Sequence, residues 1–429
     1  MNNTIILGAG LTGLSSAYHL KKDYKLFEKE PLPGGLCRSI VSNGFTFDLT
    51  GHLLHVHDEY TKTLVKHLLH KNIHELKRNS WIYSKRTFTR YPFQAHTYGL
   101  PKKVIKECLS DFFAAQAKLK RFKKPSRSFE DWILRHFGRG IARHFMVPYN
   151  EKLWLRSLSE LTIEWLDEFV PQPSVEEVLR GSLTNSETSL GYNKSFLYPK
   201  KGGIQSLINS FLPYIDQPHY NSEALRIRWY DRRVELAGKG PIMYDRLIST
   251  IPLPVLINRM HRVPADVIDA ARSLKWISVL CINLGVKRAQ WTDKTWIYFP
   301  EKENPFYRIG FHSNFSKHMV PRGCSSMYVE IAHRPEKKPD LQKILSDTIQ
   351  GIRRTEIVRH EDQIIKINVV PLPYAYVIYD FNRTPAVDLI QSFLSKHGII
   401  STGRYGGWKY SYMEEAILDG KKAAEQILS

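Results

Sequence analysis

Apolar and polar residues follow two different periods at the start of the chain. Residues 4–7 form an apolar run typical of a buried strand, and residues 14–20 then place apolar positions at helical spacing. A second strand-like run ends at Glu28, and the sequence GAGLTG occupies residues 8–13 between the first strand and the helix. The pattern predicts a strand, a glycine turn, a helix and a second strand, which together make a βαβ unit.

The three glycines of this turn have separate physical roles. Gly8 permits the tight turn, Gly10 lets the backbone approach a pyrophosphate, and Gly13 lets the helix pack closely on the strand. The helix N-terminus offers free N–H groups and a positive dipole end to a phosphate. Glu28 is placed to accept hydrogen bonds from a ribose. The unit predicts dinucleotide binding, and at this point NAD and FAD both fit.

The rest of the chain divides into helical and strand-like blocks. Residues 45–49 and 81–89 alternate like strands, whereas residues 102–168 follow helical spacing, with Ser128 as a candidate N-cap. Later strand-like runs with polar turns between them lie at 276–286, 295–299, 307–311, 326–332 and 364–370. These runs predict a mostly antiparallel sheet that forms a wall for a substrate.

A second glycine pair follows the βαβ unit. Residues 33–39 read PGGLCRS, where a purely NAD-binding domain usually begins another helix. A second phosphate-contacting loop favours FAD because a flavin dinucleotide has a longer reach. The alternative interpretation of these residues is a surface turn that uses glycine for its positive φ. The motif resembles the GG motif of the flavin amine oxidase superfamily, which includes protoporphyrinogen oxidases, monoamine oxidases and UDP-galactopyranose mutases. We therefore predict noncovalently bound FAD as the cofactor.

The same blocks predict the domain organisation. Residues 244–250 and 398–428 read as later parts of the nucleotide-binding sheet, so we predict an α/β fold with a discontinuous, Rossmann-like FAD-binding domain at 1–70, 183–263 and 387–429. A helical insertion is predicted at 99–182. A mostly antiparallel β-sheet substrate domain is predicted from strands at 71–98 and 264–386.

The composition limits the class of protein. With 429 residues, 42% hydrophobic and 12% aromatic, the chain suits a globular enzyme of two or three domains. No apolar stretch reaches the about 18 residues that span a bilayer, and no leader precedes the first strand, so we predict a cytoplasmic protein. The four cysteines have neither metal-binding nor disulfide spacing, so we predict no metal site.

The charge balance points to an anionic partner. Lys and Arg number 62 and Asp and Glu 42, and the difference is a net charge of +20. Such an excess favours phosphorylated substrates, among other anions. The densest basic run, residues 118–127, is typical of a solvated face, with peripheral contact with an anionic membrane as the alternative. No nucleic-acid module accompanies it, so we expect a small-molecule substrate.

Five segments, in order along nearly the whole chain, resemble UDP-galactopyranose mutases and their near relatives. They are residues 47–55 (FDLTGHLLH), 146–154 (MVPYNEKLW), 199–204 (PKKGGI), 371–383 (PLPYAYVIYDFNR) and 403–413 (GRYGGWKYSYM). The resemblance implies a histidine beside the flavin ring, a uridine pocket at the second segment, tyrosines for the substrate phosphates in the fourth and a flavin motif in the fifth. Arg308 resembles the mutase arginine that meets the substrate diphosphate.

The motifs and the resemblance together predict three groups of site residues. The predicted catalytic residues are His52, Arg308 and Arg404. The predicted cofactor-binding residues are Gly8, Gly10, Leu11, Thr12, Gly13, Glu28, Lys29, Gly34, Gly35, Leu36, Ser39, His52, Gly403, Arg404, Ser411, Tyr412 and Met413. The predicted substrate-binding residues are Tyr149, Trp154, Arg308, Tyr374, Tyr376 and Tyr410.

The residues themselves leave other roles open for some of these positions. A histidine such as His52 can be a core histidine bonded to the backbone, and an arginine such as Arg404 can form a surface salt bridge. Tyr149 and Trp154 lie at near-helical spacing, so they can be a packed core pair instead of a stacking surface for a nucleobase.

The mutase resemblance implies pyranose to furanose interconversion of a nucleotide-linked sugar, for cell-surface glycan biosynthesis, by attack of the reduced flavin N5 on the anomeric carbon. The alternative is net oxidation of a substrate, as in amine oxidases, protoporphyrinogen oxidases and desaturases. Residues 168–174 offer no arginine where the bacterial mutases have a substrate-binding one, and Lys409 and Tyr412 replace an arginine and an aspartate. These departures leave the identity of the sugar open.

Overall fold

The computed structural model describes residues 3–121, 125–166, 169–185, 194–289 and 291–429. The basic run at 118–127 and the segment at 168–174 therefore lie partly outside the described residues. Within the described ranges, no helix is both long and apolar enough to cross a membrane.

Eighteen strands are formed by the described residues. In chain order they are β1 (Thr4–Leu7), β2 (Tyr24–Phe27), β3 (Ser39–Ser42), β4 (Phe45–Asp48), β5 (Ile73–Lys77), β6 (Ser80–Ser84), β7 (Thr87–Arg90), β8 (Ser195–Pro199), β9 (Ala224–Arg228), β10 (Arg233–Leu236), β11 (Ile242–Met243), β12 (Arg246–Ser249), β13 (Trp276–Val286), β14 (Trp296–Tyr298), β15 (Arg308–Gly310), β16 (Ser325–His333), β17 (Ile364–Val377) and β18 (Ile399–Ser401).

Thirteen α-helices accompany these strands in the described part of the chain. They are α1 (Leu11–Leu20), α2 (Glu59–Leu69), α3 (Lys102–Arg121), α4 (Phe129–Ile141), α5 (Val147–Trp154), α6 (Val175–Leu183), α7 (Gln205–Phe211), α8 (Leu253–Arg259), α9 (Ala265–Ser273), α10 (Leu341–Arg354), α11 (Arg383–Lys396), α12 (Gly403–Gly406) and α13 (Met413–Leu428).

A parallel sheet of four strands gathers the beginning, middle and end of the chain. Its order is β18-β12-β1-β2, and every neighbouring pair is parallel. Helices α1 and α13 pack against each other beside this sheet. Its strands are short and apolar, as expected when both faces of a parallel sheet are covered.

A sheet of seven strands forms the second layer, in the order β17-β13-β16-β15-β14-β6-β7. All pairs are antiparallel except β14 with β6. Strand β13 is buried along nearly its whole length because its alternate residues enter two different hydrophobic clusters, with Cys281 in one and Ile282 in the other. The mixed α/β fold confirms the predicted fold class.

The helical block contains α3, α4 and α5 and covers one face of the seven-stranded sheet. Ser128 caps α4, as predicted, because its Oγ accepts a hydrogen bond from the Asp131 amide at 3.3 Å. Gly138 takes φ +75° and bends α4, and a π-helical turn over Ala142–Met146 then leads into α5. Without a Cβ, this glycine passes close to the Asp111 carbonyl of α3.

Several elements differ from the sequence predictions. The first helix begins at Leu11, not residue 14, and regular helix in the block predicted at 102–168 ends at Trp154 apart from a short turn at Leu158–Glu160. Strand β5 pairs with β8 in a separate two-stranded sheet because tertiary pairing, not local alternation, selects its partner. The boundaries drawn after residues 182 and 386 fall inside α6 and α11, whose helical patterns continue across them.

Candidate functional site

The first glycine turn lies at the carboxyl ends of β1 and β12. Gly8 takes φ +98°, a conformation that L side chains rarely adopt, and its amide donates to the Phe27 carbonyl at 2.8 Å. A Cβ on Gly13 would lie 1.9 Å from the Gly8 carbonyl oxygen. The third glycine therefore allows α1 to pack directly on the turn that precedes it.

Two further glycine segments meet this turn. Gly34 donates its amide to the Ala9 carbonyl at 2.8 Å, and a Cβ on Gly10 would meet nothing nearer than the Gly35 Cα at 4.0 Å. Gly403 takes φ +82°, and a Cβ there would lie 2.6 Å from the Thr12 hydroxyl. The first, second and last glycine motifs thus form one cradle at the edge of the parallel sheet.

Glu28 is fixed at this edge by backbone donors. Its carboxylate, 6% exposed, accepts from the Ala9 amide at 2.7 Å and from the Glu30 amide at 2.9 Å. Each carboxylate oxygen keeps acceptor capacity for a ribose hydroxyl. Leu11 and Thr12 are buried in the first turn of α1, whose N-cap has no side-chain hydrogen bond.

Other predicted cofactor residues have different surroundings. Lys29 is exposed and pairs with Glu30 at 3.7 Å, while Leu36 packs against the helical core. The Ser39 hydroxyl donates to Asp48 at 2.6 Å and accepts from the Gln205 amide at 3.1 Å, so the protein already uses it. Met413 is buried at the start of α13, directly after its N-cap Tyr412.

Arg404 lies inside the molecule and has no carboxylate partner among the described residues. Its Nη2 atom donates to the Ala375 carbonyl at 2.8 Å, and its Nη1 atom donates to the Ser411 carbonyl. The guanidinium carbon lies 5.4 Å from the Tyr376 ring centroid and 5.3 Å from that of Tyr410. The surface salt bridge that the sequence left open is therefore not formed, and the positive charge stays fixed beside the aromatic rings.

His52 is half-buried near both arginines. Burial lowers its pKa to about 4, and the charges of Arg404 and Arg308 act in the same direction. The imidazole is consequently neutral at neutral pH. Its Nδ1 atom has no hydrogen-bond partner within the described ranges.

Other buried polar atoms of the described residues around this edge also lack a hydrogen-bond partner. In the described part of the chain, the atoms His52 Nδ1, Ser249 Oγ and Ser411 Oγ make no hydrogen bond to protein. Native proteins rarely leave such atoms unsatisfied, so they are the groups that a bound molecule would satisfy. Together with a cradle in which Gly10 leaves room for a pyrophosphate, they fit a dinucleotide such as FAD.

Arg308 begins β15 on the facing sheet and forms a two-pronged ion pair with Glu330 of β16. Arg308 Nε donates to Glu330 Oε2 and Arg308 Nη2 to Glu330 Oε1, each at 2.8 Å, and the carboxylate is 1% exposed. Burial alone would raise the pKa of Glu330, but the guanidinium holds it below its usual value. The Thr50 hydroxyl also donates to Glu330, which links this pair to the segment that carries His52.

Sequence analysis missed Glu330 and Lys152. Glu330 is the single acidic residue in strand β16 and lies between the apolar Val329 and Ile331, and that pattern itself signals a buried carboxylate that needs a cation. Lys152 donates to the carbonyls of Phe299 at 2.7 Å and Phe306 at 3.2 Å, and burial lowers its pKa to about 7. It thereby ties α5 to the turn before Arg308, and only the tertiary fold shows this contact.

Aromatic side chains form a wall beside the two arginines. Tyr376 and Tyr410 are stacked, with ring centroids 6.0 Å apart, and Trp154 lies 5.9 Å from Tyr376. Tyr149 lies 5.4 Å from Tyr298 and stacks on Phe145 at 5.3 Å. The structure therefore brings most of the predicted substrate residues together on α5, β17 and the C-terminal motif.

One predicted substrate residue, Tyr374, lies outside this wall, and the structure leaves both predicted roles of Trp154 open. Tyr374 lies 5.0 Å from Trp276 in a different hydrophobic cluster, so its ring belongs to the packing beneath β13. Trp154 is 2% exposed, which fits a core position as well as the rim of a pocket.

Comparisons with known proteins agree with this geometry. A family model described as flavin containing amine oxidoreductase matches residues 11–428. The crystal structure of a reduced UDP-galactopyranose mutase is 28% identical to this chain, with a TM-score of 0.94, and the alignment covers 100% of this chain and 96% of that one.

Two more distant structures show the same fold. A CLA-producing fatty acid isomerase from P. acnes is 12% identical, with a TM-score of 0.67, and the alignment covers 100% of this chain and 99% of that one. Putrescine oxidase, in a structure bound to putrescine, is 14% identical, with a TM-score of 0.63 and the same two coverages. At these identities the similarity shows the fold alone.

Proposed function

Because the chain belongs to the flavin containing amine oxidoreductase family and is an FAD-dependent enzyme, we propose that it interconverts the pyranose and furanose forms of a nucleotide-linked sugar. The bound flavin, in its reduced form, would supply the nucleophile for the anomeric carbon. The observation that carries the proposal is the half-buried Arg308, held by the buried Glu330 beside the stacked tyrosines, in a chain similar over its whole length to a mutase.

The chain's own residues would orient the substrate and stabilise the leaving group. Glu330 fixes the plane of the Arg308 guanidinium, which leaves the Nη1 group of the arginine for a diphosphate oxygen. Tyr376 lies within 3.4 Å of the same guanidinium and would present its hydroxyl to the same diphosphate. This preorganised charge acts where negative charge develops on the departing diphosphate.

Two other residues would serve the cofactor side. Arg404 supplies a fixed positive charge, which favours an anionic reduced flavin. His52 remains neutral at working pH and offers a ring nitrogen without adding charge. The aromatic wall around Trp154 and Tyr410 would exclude water from the reacting carbon.

Net oxidation is the second candidate, because the matched family is named for amine oxidoreductases. In that case electrons would leave the substrate and pass to an acceptor. An amine substrate does not require a diphosphate position beside Arg308, so a guanidinium with one nitrogen left for such a group favours the mutase. A role in cell-surface glycan biosynthesis and a cytoplasmic location remain predictions from the sequence.

The test compares reduced and oxidised enzyme on a panel of nucleotide sugars. We expect dithionite-reduced protein to give a product isomeric with its substrate, without stoichiometric use of an electron acceptor. Arg308→Ala should lower kcat/KM by an amount that corresponds to a loss of roughly 2 to 4 kcal/mol in transition-state stabilisation. Lys343→Ala, a change at an exposed position on α10, should leave kcat/KM unchanged. Turnover only by oxidised enzyme, with one acceptor reduced per product, would establish the oxidase instead.

A further inference from the structure

A cleft of about 410 Å³ lies at the edge of the parallel sheet opposite the glycine cradle. The cradle is at the carboxyl ends of β1, β12 and β18, whereas Arg246 begins β12 and Gly398 precedes β18. The cleft is also lined by the turn between β9 and β10 and by the last turn of α11. It is therefore separate from the candidate flavin site.

Three cations line the cleft without an ion-pair partner. Arg232, Arg246 and Lys396 are exposed, and none has a carboxylate within 4.0 Å in the described ranges. The nearby carboxylate of Asp231 is already shared by Arg228 at 3.6 Å and Arg233 at 3.8 Å. The cleft thus carries positive charge that the protein does not neutralise.

Aromatic rings complete the lining. Trp229 lies 4.0 Å from the His397 ring, and its indole N–H is buried without an acceptor in the part of the chain that the structure describes. Tyr230 is 41% exposed, which leaves part of its ring surface open to solvent. Cations around a ring-lined cleft match the chemistry of phosphate groups.

We propose that this cleft is a second binding site for a phosphorylated small molecule. Arg232, Arg246 and Lys396 contact the phosphate oxygens, and the rings of Trp229 and Tyr230 form part of the wall. The volume is within the range of small-molecule sites, which begins at about 300 Å³. The proposal does not depend on which reaction the flavin site performs.

The test titrates FAD-saturated Arg308→Gln protein with pyrophosphate by calorimetry, because this background, used for every variant, removes the diphosphate position proposed beside Arg308. The double variant Arg232→Gln/Lys396→Gln should weaken binding at least tenfold, since a charged hydrogen bond contributes about 1.5 to 3 kcal/mol. Lys102→Gln/Lys103→Gln removes the same charge from the surface of α3 and should change the affinity less than twofold.

A parallel titration with ADP separates two ligand sources. Tighter binding of ADP than of pyrophosphate, lost in the Arg232→Gln/Lys396→Gln variant, identifies a nucleotide as the preferred ligand. Equal affinities identify the phosphate groups alone, and both results support the site. Absence of pyrophosphate and ADP binding at millimolar concentration, or equal weakening by the control variant on α3, would overturn the proposal.

Discussion

The two sides of the candidate site are built by different means. On the cofactor side, Gly13 lets main chain approach main chain, Gly8 and Gly403 let the chain pass close to threonine side chains, and the chemistry lies in backbone donors. On the substrate side, the chemistry lies in side chains such as Arg308 and Glu330 on neighbouring strands. The first side depends on local geometry, and the second depends on contacts between distant parts of the sequence.

The largest effect is expected where helix and turn touch on the cofactor side. Gly13→Ala places a methyl carbon 1.9 Å from the Gly8 carbonyl oxygen, so α1 must move away from β1. We expect a loss of at least about 3 kcal/mol in the free energy of unfolding. Urea unfolding measures it, and Gly240→Ala, where the added carbon meets nothing within 4 Å, should stay near wild type.

A smaller effect is expected from uncoupling the buried ion pair on the substrate side. Glu330→Gln and Arg308→Gln should each cost about 2 to 3 kcal/mol, because each leaves the other charge buried and unpaired. The double variant should cost less than the sum by about 1 kcal/mol or more. The same cycle on the exposed pair Lys343 and Asp347 should show a coupling below about 0.5 kcal/mol. Additive losses at Arg308 and Glu330 would contradict the assigned pairing.

The smallest effect is a pH dependence from Asp48, which holds the Ser39 hydroxyl on the cofactor side. Burial raises its pKa to about 6, although it accepts from Ser39 and Tyr198. A raised carboxyl pKa means that the folded state binds the proton more tightly, so this contribution to stability falls as pH rises through about 6. Relative to Asp48→Asn, wild type should gain about 1 kcal/mol between pH 7 and pH 5. A constant difference between the two proteins would show that Asp48 has an ordinary pKa.

The sequence predicted the cofactor side more completely than the substrate side. The glycine spacing and the acidic residue at position 28 predicted the first turn, because local backbone geometry determines which residue type fits at each of these positions. The exception is Ser39, whose hydroxyl is taken by Asp48, a partner fixed by the pairing of β3 with β4.

On the substrate side, local pattern identified single residues but not their partners. Alternation placed Arg308 on a strand, yet the ion pair with Glu330 arises only when β15 and β16 align. Likewise, Tyr374 and Tyr376 look equivalent in sequence, but only Tyr376 stacks on Tyr410. Side-chain convergence of this kind depends on sheet register, which no local window contains.

The central claim is that backbone geometry holds the flavin while the Arg308 side chain serves the substrate. The ratio of flavin to protein absorbance in purified Gly10→Val and Arg308→Gln tests it directly. Because a Cβ at Gly10 meets no protein atom closer than the Gly35 Cα at 4.0 Å but occupies the pyrophosphate path, Gly10→Val should stay folded and lose its flavin. Arg308→Gln should keep full flavin content. A flavin-loaded Gly10→Val, or a folded Arg308→Gln that has lost its flavin, would contradict the account.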